Sequence, residues 1–282
     1  MVGISHVRFG ISCRHSRHLA PMTAHLFIAV TTRSAALKRT TNSSASAQPG
    51  QCSTLPRSAG LASILHPVQR IPMCGRFARY QPLPAFAEAA GVPAPQAEGL
   101  DGPRYNIAPG TPAWLLARDA HGEIIFTELP WRFPTSRGNR INVRSETAHI
   151  VPEYRAPFEE HRCVVLASGF YEPEGAKTEK HRPWWYFEAQ DHSPLFLGAV
   201  AQEAGFSILT RSPVDPVARV HDRSPVLVPA DQVLEWLDPQ WTGREVLAQA
   251  GTRIVENLKG WRVGDAAKSA GWEGAECIAA IA

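Results

Sequence analysis

The sequence predicts an α+β fold: a curved, mainly antiparallel, barrel-like sheet with flanking helices in a single domain. Three observations carry that expectation. Short β-like runs dominate residues 73–282, turn signals join many of them directly, and helical periodicity is confined to four short segments. Strands linked by short turns pair antiparallel, because a parallel neighbour needs a crossover of a dozen residues or more. In chain order, a strand is expected over Cys74–Arg79 and a helix over Leu83–Ala90. Strands over Ala113–Arg118 and Ile124–Trp131 flank the turn Asp119-Ala120-His121-Gly122. A helix over Val151–His161 leads into the long apolar run Arg162–Phe170, which Pro173-Glu174-Gly175 terminates. Strands over Trp184–Glu188 and Leu195–Val200 are joined by Asp191-His192-Ser193-Pro194, and two more are read over Phe206–Thr210 and Val226–Val228. Helices over Ala230–Leu237 and Arg244–Ala250 bracket Asp238-Pro239.

Composition separates this region from what precedes it. Residues 1–72 hold eight basic residues and no acidic one, whereas residues 73–282 hold 21 basic and 26 acidic residues and all eight Trp. Statistics so different argue against one shared core, so 1–72 reads as a non-domain extension and 73–282 as the domain. The preferred reading of 1–72 is a start placed too far upstream, with translation beginning at Met73. A disordered tail that is removed, or a mitochondrial transit segment (Arg- and Ser-rich, free of acids), are the alternatives. No run of about 18 apolar residues suggests a membrane span. Five scattered cysteines (Cys13, Cys52, Cys74, Cys163 and Cys277) without a C-x-x-C pair argue against a disulfide framework and against a metal site. No Gly-rich phosphate loop is present, so no cofactor, and in particular no nucleotide cofactor, is expected.

Four segments carry candidate chemistry: Met73-Cys74-Gly75-Arg76-Phe77, Arg104-Tyr105-Asn106-Ile107-Ala108-Pro109-Gly110, Ile141-Asn142-Val143-Arg144-Ser145-Glu146-Thr147 and Val220-His221-Asp222-Arg223-Ser224-Pro225. With Gly169-Phe170-Tyr171-Glu172 between the last two, their order resembles the SOS response-associated peptidase (SRAP) family over residues 73–282. The resemblance implies a curved antiparallel sheet with flanking helices. It also implies a sensor of abasic sites in single-stranded DNA that forms a covalent protein–DNA crosslink and carries peptidase activity.

Cys74 shows why such residues suit that chemistry. Inside a chain it is a weak thiol with a pKa near 8.5, and most lone cysteines are inert packing residues. Freed at its amino side, it offers a thiol and an α-amine on adjacent carbons. Such a 1,2-aminothiol condenses with the aldehyde of a ring-opened abasic sugar, the amine forming an imine and the sulfur closing a thiazolidine. While 73 residues stay attached the nitrogen is an amide and the reaction is impossible, so the extension is expected to be absent or cleaved. The resemblance casts Glu172 as the catalytic acid–base, and burial at the end of Val164–Phe170 would raise its pKa; an exposed turn carboxylate is the plainer alternative. It casts His221 as a proton donor that helps open the sugar ring, against the usual structural histidine. Asn142 would orient the amine or the sugar, against a turn Asn. Arg76 and Arg144, within two residues of Cys74 and Asn142, are expected to place guanidinium groups on phosphates flanking the lesion, with a structural ion pair as the alternative for either. Thr210 matches a family position near the DNA backbone.

The stretch Trp131-Arg132-Phe133-Pro134-Thr135-Ser136-Arg137 departs from the family pattern, and Arg132, Arg137 and Arg140 are expected to replace base stacking with charge. Trp184-Trp185-Tyr186-Phe187 and Cys277 are read as packing residues. A monomer in the cytoplasm, on the nucleoid when bound to DNA, is expected. Two other classes stay open: an N-terminal-nucleophile glutaminase, for which Cys-Gly-Arg-Phe is also suited, and a non-covalent single-strand binder.

Overall fold

The computed structural model describes residues 75–96, 102–175, 181–213, 215–250 and 257–281. Its strands are β1 (Arg76–Arg79), β2 (Arg104–Ile107), β3 (Pro112–Arg118), β4 (Ile124–Pro130), β5 (Asn142–Arg144), β6 (Arg162–Ala167), β7 (Gly169–Pro173), β8 (Trp184–Ala189), β9 (Leu195–Gln202), β10 (Gly205–Arg211), β11 (Ser224–Pro225), β12 (Leu227–Val228) and β13 (Leu258–Val263). The helices are α1 (Leu83–Ala90), α2 (Ser145–Ala148), α3 (Pro152–Glu160), α4 (Val233–Leu237) and α5 (Gly243–Gln249). A left-handed Gly91 stops α1 where the sequence places its end. Thr242 and Glu245 form a reciprocal capping box at the start of α5.

The strands make two sheets. One is five-stranded, in the order β13-β8-β7-β1-β2; the other follows the order β11-β10-β9-β6-β3-β4, with β12 on β9 and β5 on β10. The mixed α+β class therefore holds, but the barrel-like expectation is corrected: among the described residues the ladders do not close on themselves. The expectation of antiparallel pairing also has an exception, since β5 runs parallel to β10. The division into two sheets is made at Ser168. The single run expected over Arg162–Phe170 is two strands, one in each sheet, and Ser168 Oγ accepts the amides of Tyr80 and Gln81 at the switch (3.0 and 3.1 Å). The next residue must be glycine, because a Cβ at Gly169 would strike the Tyr186 hydroxyl and the Phe187 carbonyl.

Strand alternation fixes three layers of packing. Phe77, Phe170 and Phe187 of the smaller sheet meet Leu115, Val165, Leu197 and Ile208 of the larger one in a shared core. The other face of the larger sheet, with Leu116, Val164 and Phe196, packs on Phe86, Phe158 and Trp236 from the helices. The outer face of the smaller sheet, with Tyr171 and Tyr186, is covered by Ala267 and Cys277. Cys163 and Cys277 are buried thiols, as expected of packing residues. Tyr186 and Phe187 are likewise core, with Trp184 and Trp185 half-buried beside them. No helix among the described residues is long and apolar enough to cross a membrane.

Candidate active site

Strand parity decides which side chains meet. Phe170 points into the core between the sheets and Tyr171 to the outer face, so Glu172 points inward again. Its carboxylate is fully buried, and Oε2 lies 3.6 Å from Nδ1 of His221, whose ring is 2% exposed. His221 follows the turn Val217–Arg219, which Val217 and Val220 pin into the shared core. Asn142 opens β5 and is held opposite Ile208 of β10. Just upstream, the Trp131 indole donates to the Ile141 carbonyl (2.8 Å) while its ring packs edge-on against Phe77. Glu172 thus comes from the smaller sheet, Asn142 from the larger, and His221 from the loop between Val217–Arg219 and β11. Gly75 leads into β1, where Arg76 stands opposite Tyr171, the neighbour of Glu172. Cys74 and Met73 lie outside the described residues, as does all of 1–72.

Residues paired directly across an antiparallel ladder share a face. Arg76 therefore lies with Tyr171 on the outer face, away from Glu172, where its guanidinium donates to Asn106 Oδ1 (3.1 Å). Burial lowers its pKa, partly offset by Cys277, Tyr171 and Glu273. Asn106 in turn donates to the carbonyls of Ser269 and Trp272 (2.7 and 3.0 Å), so this motif fastens β2 to the covering segment. Thr210 is fully buried, its hydroxyl donating to the Val143 carbonyl (3.3 Å). Of the three expected DNA contacts only Arg144 is exposed. Arg132 and Arg137 are also exposed, whereas Trp131 and Phe133 belong to the core.

Desolvation pushes the pKa of His221 below its ordinary 6.5; the Arg223 carbonyl and Asp222 oppose that shift, and the cations Arg182 and Arg223 add to it. Nδ1 receives the Arg223 amide (3.2 Å) and stands 3.1 Å from the Arg223 carbonyl. Either protonation state of that nitrogen thus finds a partner in the same residue. Nε2 is buried with no hydrogen-bond partner among the described residues.

Three neighbours were not singled out by sequence. Arg182 donates to the carbonyls of Pro173 and Glu174 just beyond Glu172 (3.0 and 3.1 Å). Arg223 forms a two-point pair with Glu146 (2.6 and 2.7 Å). Those last two partners stand 77 positions apart, and both lie inside quoted motifs; nothing local marks them as a pair.

A two-sheet α+β fold with a buried carboxylate and imidazole converging beside the start of its first strand is the class of protein these features define. Residues 73–269 match the family described as SOS response associated peptidase (SRAP), and the chain belongs to that family. Abasic site processing protein YedK of Escherichia coli (strain K12) is 29% identical over 199 residues, covering 65% of this chain and 87% of that protein. Abasic site processing protein YoaM of Bacillus subtilis (strain 168) is 28% identical over 191 residues, covering 62% and 83%. Among solved structures, a phage-related protein from Bordetella bronchiseptica superposes with a TM-score of 0.57 at 27% identity, covering 67% of this chain and 94% of that one. A protein from Bacteroides thetaiotaomicron has a TM-score of 0.59 at 14% identity, covering 74% and 100%; that likeness is one of fold.

Proposed function

We propose that this protein captures abasic sites in single-stranded DNA through Cys74, once that residue is freed at its amino side. The observation that carries the reading is the burial of Glu172 against His221 beside the start of β1, in a chain whose family includes relatives named as abasic site processing proteins. The amine of Cys74 adds to the sugar aldehyde, water leaves, and the sulfur adds to the imine carbon as the thiol proton passes to nitrogen. The product is a thiazolidine and one water. Glu172 and His221 move these protons: Nε2 of His221 meets the ring oxygen of the closed sugar and Glu172 serves the amine and the departing water. Asn142 orients the reacting groups. Arg144, with Arg132 and Arg137 from the neighbouring loop, takes flanking phosphates. Thr210, being buried, acts by holding β5 to β10, and Arg76 by fixing β1 to β2. The same acid–base pair would release the segment before Cys74: the thiol adds to the preceding carbonyl, and the C–N bond breaks as the thiol proton passes to the freed amine. Water then hydrolyses the resulting thioester, so that the segment leaves as a carboxylic acid and the thiol is restored.

The test uses an abasic-site oligonucleotide and two forms of the protein, one beginning at Cys74 and one with Met73-Cys74 kept intact by a block on cleavage. The first is expected to give an SDS- and heat-stable shifted band and the second none, with intact mass confirming each start. Equal bands from both would refute the free-amine chemistry. Glutamine hydrolysis without a band would point to the glutaminase class, and salt-sensitive retention alone to a plain binder.

His221 makes a separate pH prediction. The ratio of the wild-type to the His221→Ala capture rate removes the titration of the amine. It is expected to fall as pH rises through a value below 6.5, since the donor is the imidazolium and burial lowers its pKa. A ratio constant from about pH 5 to 9 would exclude His221 as the proton donor.

A further inference from the structure

We infer that Glu146 and Arg223 are positioning residues, which through the backbone of Arg223 set where His221 stands and how its Nδ1 is served. The inference rests on the proposed role of His221 and adds a part to it. Arg223 is 7% exposed, and one guanidinium fastens three pieces of the chain. Nη1 and Nη2 grip the two oxygens of Glu146 (2.6 and 2.7 Å), on α2 directly after the strand that carries Asn142. Nη2 also donates to the Thr210 carbonyl (2.6 Å) on β10 and approaches the Thr210 hydroxyl (3.4 Å). That hydroxyl donates to Val143, next to Asn142. The third piece is the loop of Arg223 itself, whose amide and carbonyl stand 3.2 and 3.1 Å from His221 Nδ1.

Moving this backbone therefore moves both groups that serve the imidazole. A planar two-point fork resists both translation and rotation, which a lysine in its place would not do. The pair also has a charge effect. The groups acting on His221 are Glu172 at 3.6 Å, Asp222 at 3.4 Å, and the cations Arg182 and Arg223. Glu146 neutralises Arg223 and is itself held below the usual carboxylate range by it. Without Glu146 the full charge of Arg223 acts on the ring, and the imidazolium becomes harder to form.

Glu146→Gln tests this, because Glu146 is 46% exposed and its amide is accommodated at the surface. His221 is titrated by the NMR signals of its imidazole C–H groups, assigned with His221→Ala. Capture rate is measured on the abasic oligonucleotide and affinity on the same oligonucleotide bearing a tetrahydrofuran site, which has no aldehyde. The expected result is a lower His221 pKa, capture at least tenfold slower, unchanged affinity for the tetrahydrofuran site, and recovery towards wild type in Glu146→Asp. An unmoved His221 titration in Glu146→Gln overturns the proposal. So does a loss of affinity with the titration unmoved, which would make the pair a DNA contact, and so does a lowered melting temperature alone, which would make it structural. If the wild type forms no stable band at all, the capture reading fails, yet the titration still decides whether the pair positions His221.

Discussion

Cys74→Ala is expected to reduce the SDS-stable product on an abasic-site oligonucleotide to background. The α-amine of the variant still condenses with the sugar aldehyde, but no sulfur follows to close the ring. The product stops at an imine, which water hydrolyses during denaturation. Borohydride added during incubation should therefore trap a band with Cys74→Ala that is absent without it. Cys74→Ser should behave alike, since a neutral hydroxyl is a far poorer nucleophile than a thiol with a pKa near 8.5. The measurement is denaturing gel electrophoresis of each variant with and without reductant. An undiminished band from Cys74→Ala without reductant would remove the thiazolidine, leaving the fold and the buried Glu172–His221 pair unaffected.

Arg162→Met is expected to cost more stability than any other substitution proposed above, although it lies outside the Glu172–His221 cluster. Arg162 is 4% exposed and has no carboxylate in contact among the described residues. Its guanidinium instead donates to five carbonyls: Phe158 and Glu159 at the end of α3, Trp236 in α4, and Asp238 and Trp241 beyond it, at 2.6–2.9 Å. Helix ends leave carbonyls without intrahelical donors, and here one cation at the start of β6 serves two such ends. Methionine fills similar volume and donates nothing. At about 1–3 kcal/mol for each buried acceptor left unmet, the two best-shielded carbonyls, Phe158 and Trp236, make the loss roughly 2–6 kcal/mol. For a domain of this size that lowers Tm on the order of 10 °C. Thermal and urea unfolding of the purified variant measure it; a Tm within a degree or two of wild type would show that water replaces the guanidinium at little cost.

How much of this was legible in the sequence differs by element. The helix over Leu83–Ala90 was readable to the residue, because its apolar spacing ends at a glycine able to adopt φ 67°. The strands flanking Asp119–Gly122 were readable for the same kind of reason, alternation bounded by a turn. Strand β5 was not: three residues carry no periodicity, and its parallel partner is supplied by tertiary packing. Strands β2 and β13 were missed as well, with Gly260 and Lys259 interrupting the apolar pattern of the latter. The barrel-like expectation failed because alternation specifies faces, not which edges meet.

The site divides similarly. Residue types and motif order pointed to Glu172, His221 and Asn142, and the fold brings Glu172 and His221 within 3.6 Å. The outward turn of Arg76 was hidden, since proximity along the chain to Cys74 says nothing about strand parity. So was the burial of Thr210, since a matched motif position does not say how deeply its strand is covered. Arg76 is two residues from Cys74, and the strand it joins turns it to Asn106.

The switch at Ser168 has a wider consequence. Because one unbroken stretch of chain supplies a strand to each sheet, the carboxylate at position 172 is cantilevered from β6, which is buried along its whole length. Its aim is set by the deepest layer of the molecule, and the exposed arginines around residues 132–144 take no part in setting it. Under the proposed function, sequence drift at that rim would thus retune how nucleic acid is gripped while leaving the acid pointing at the same spot.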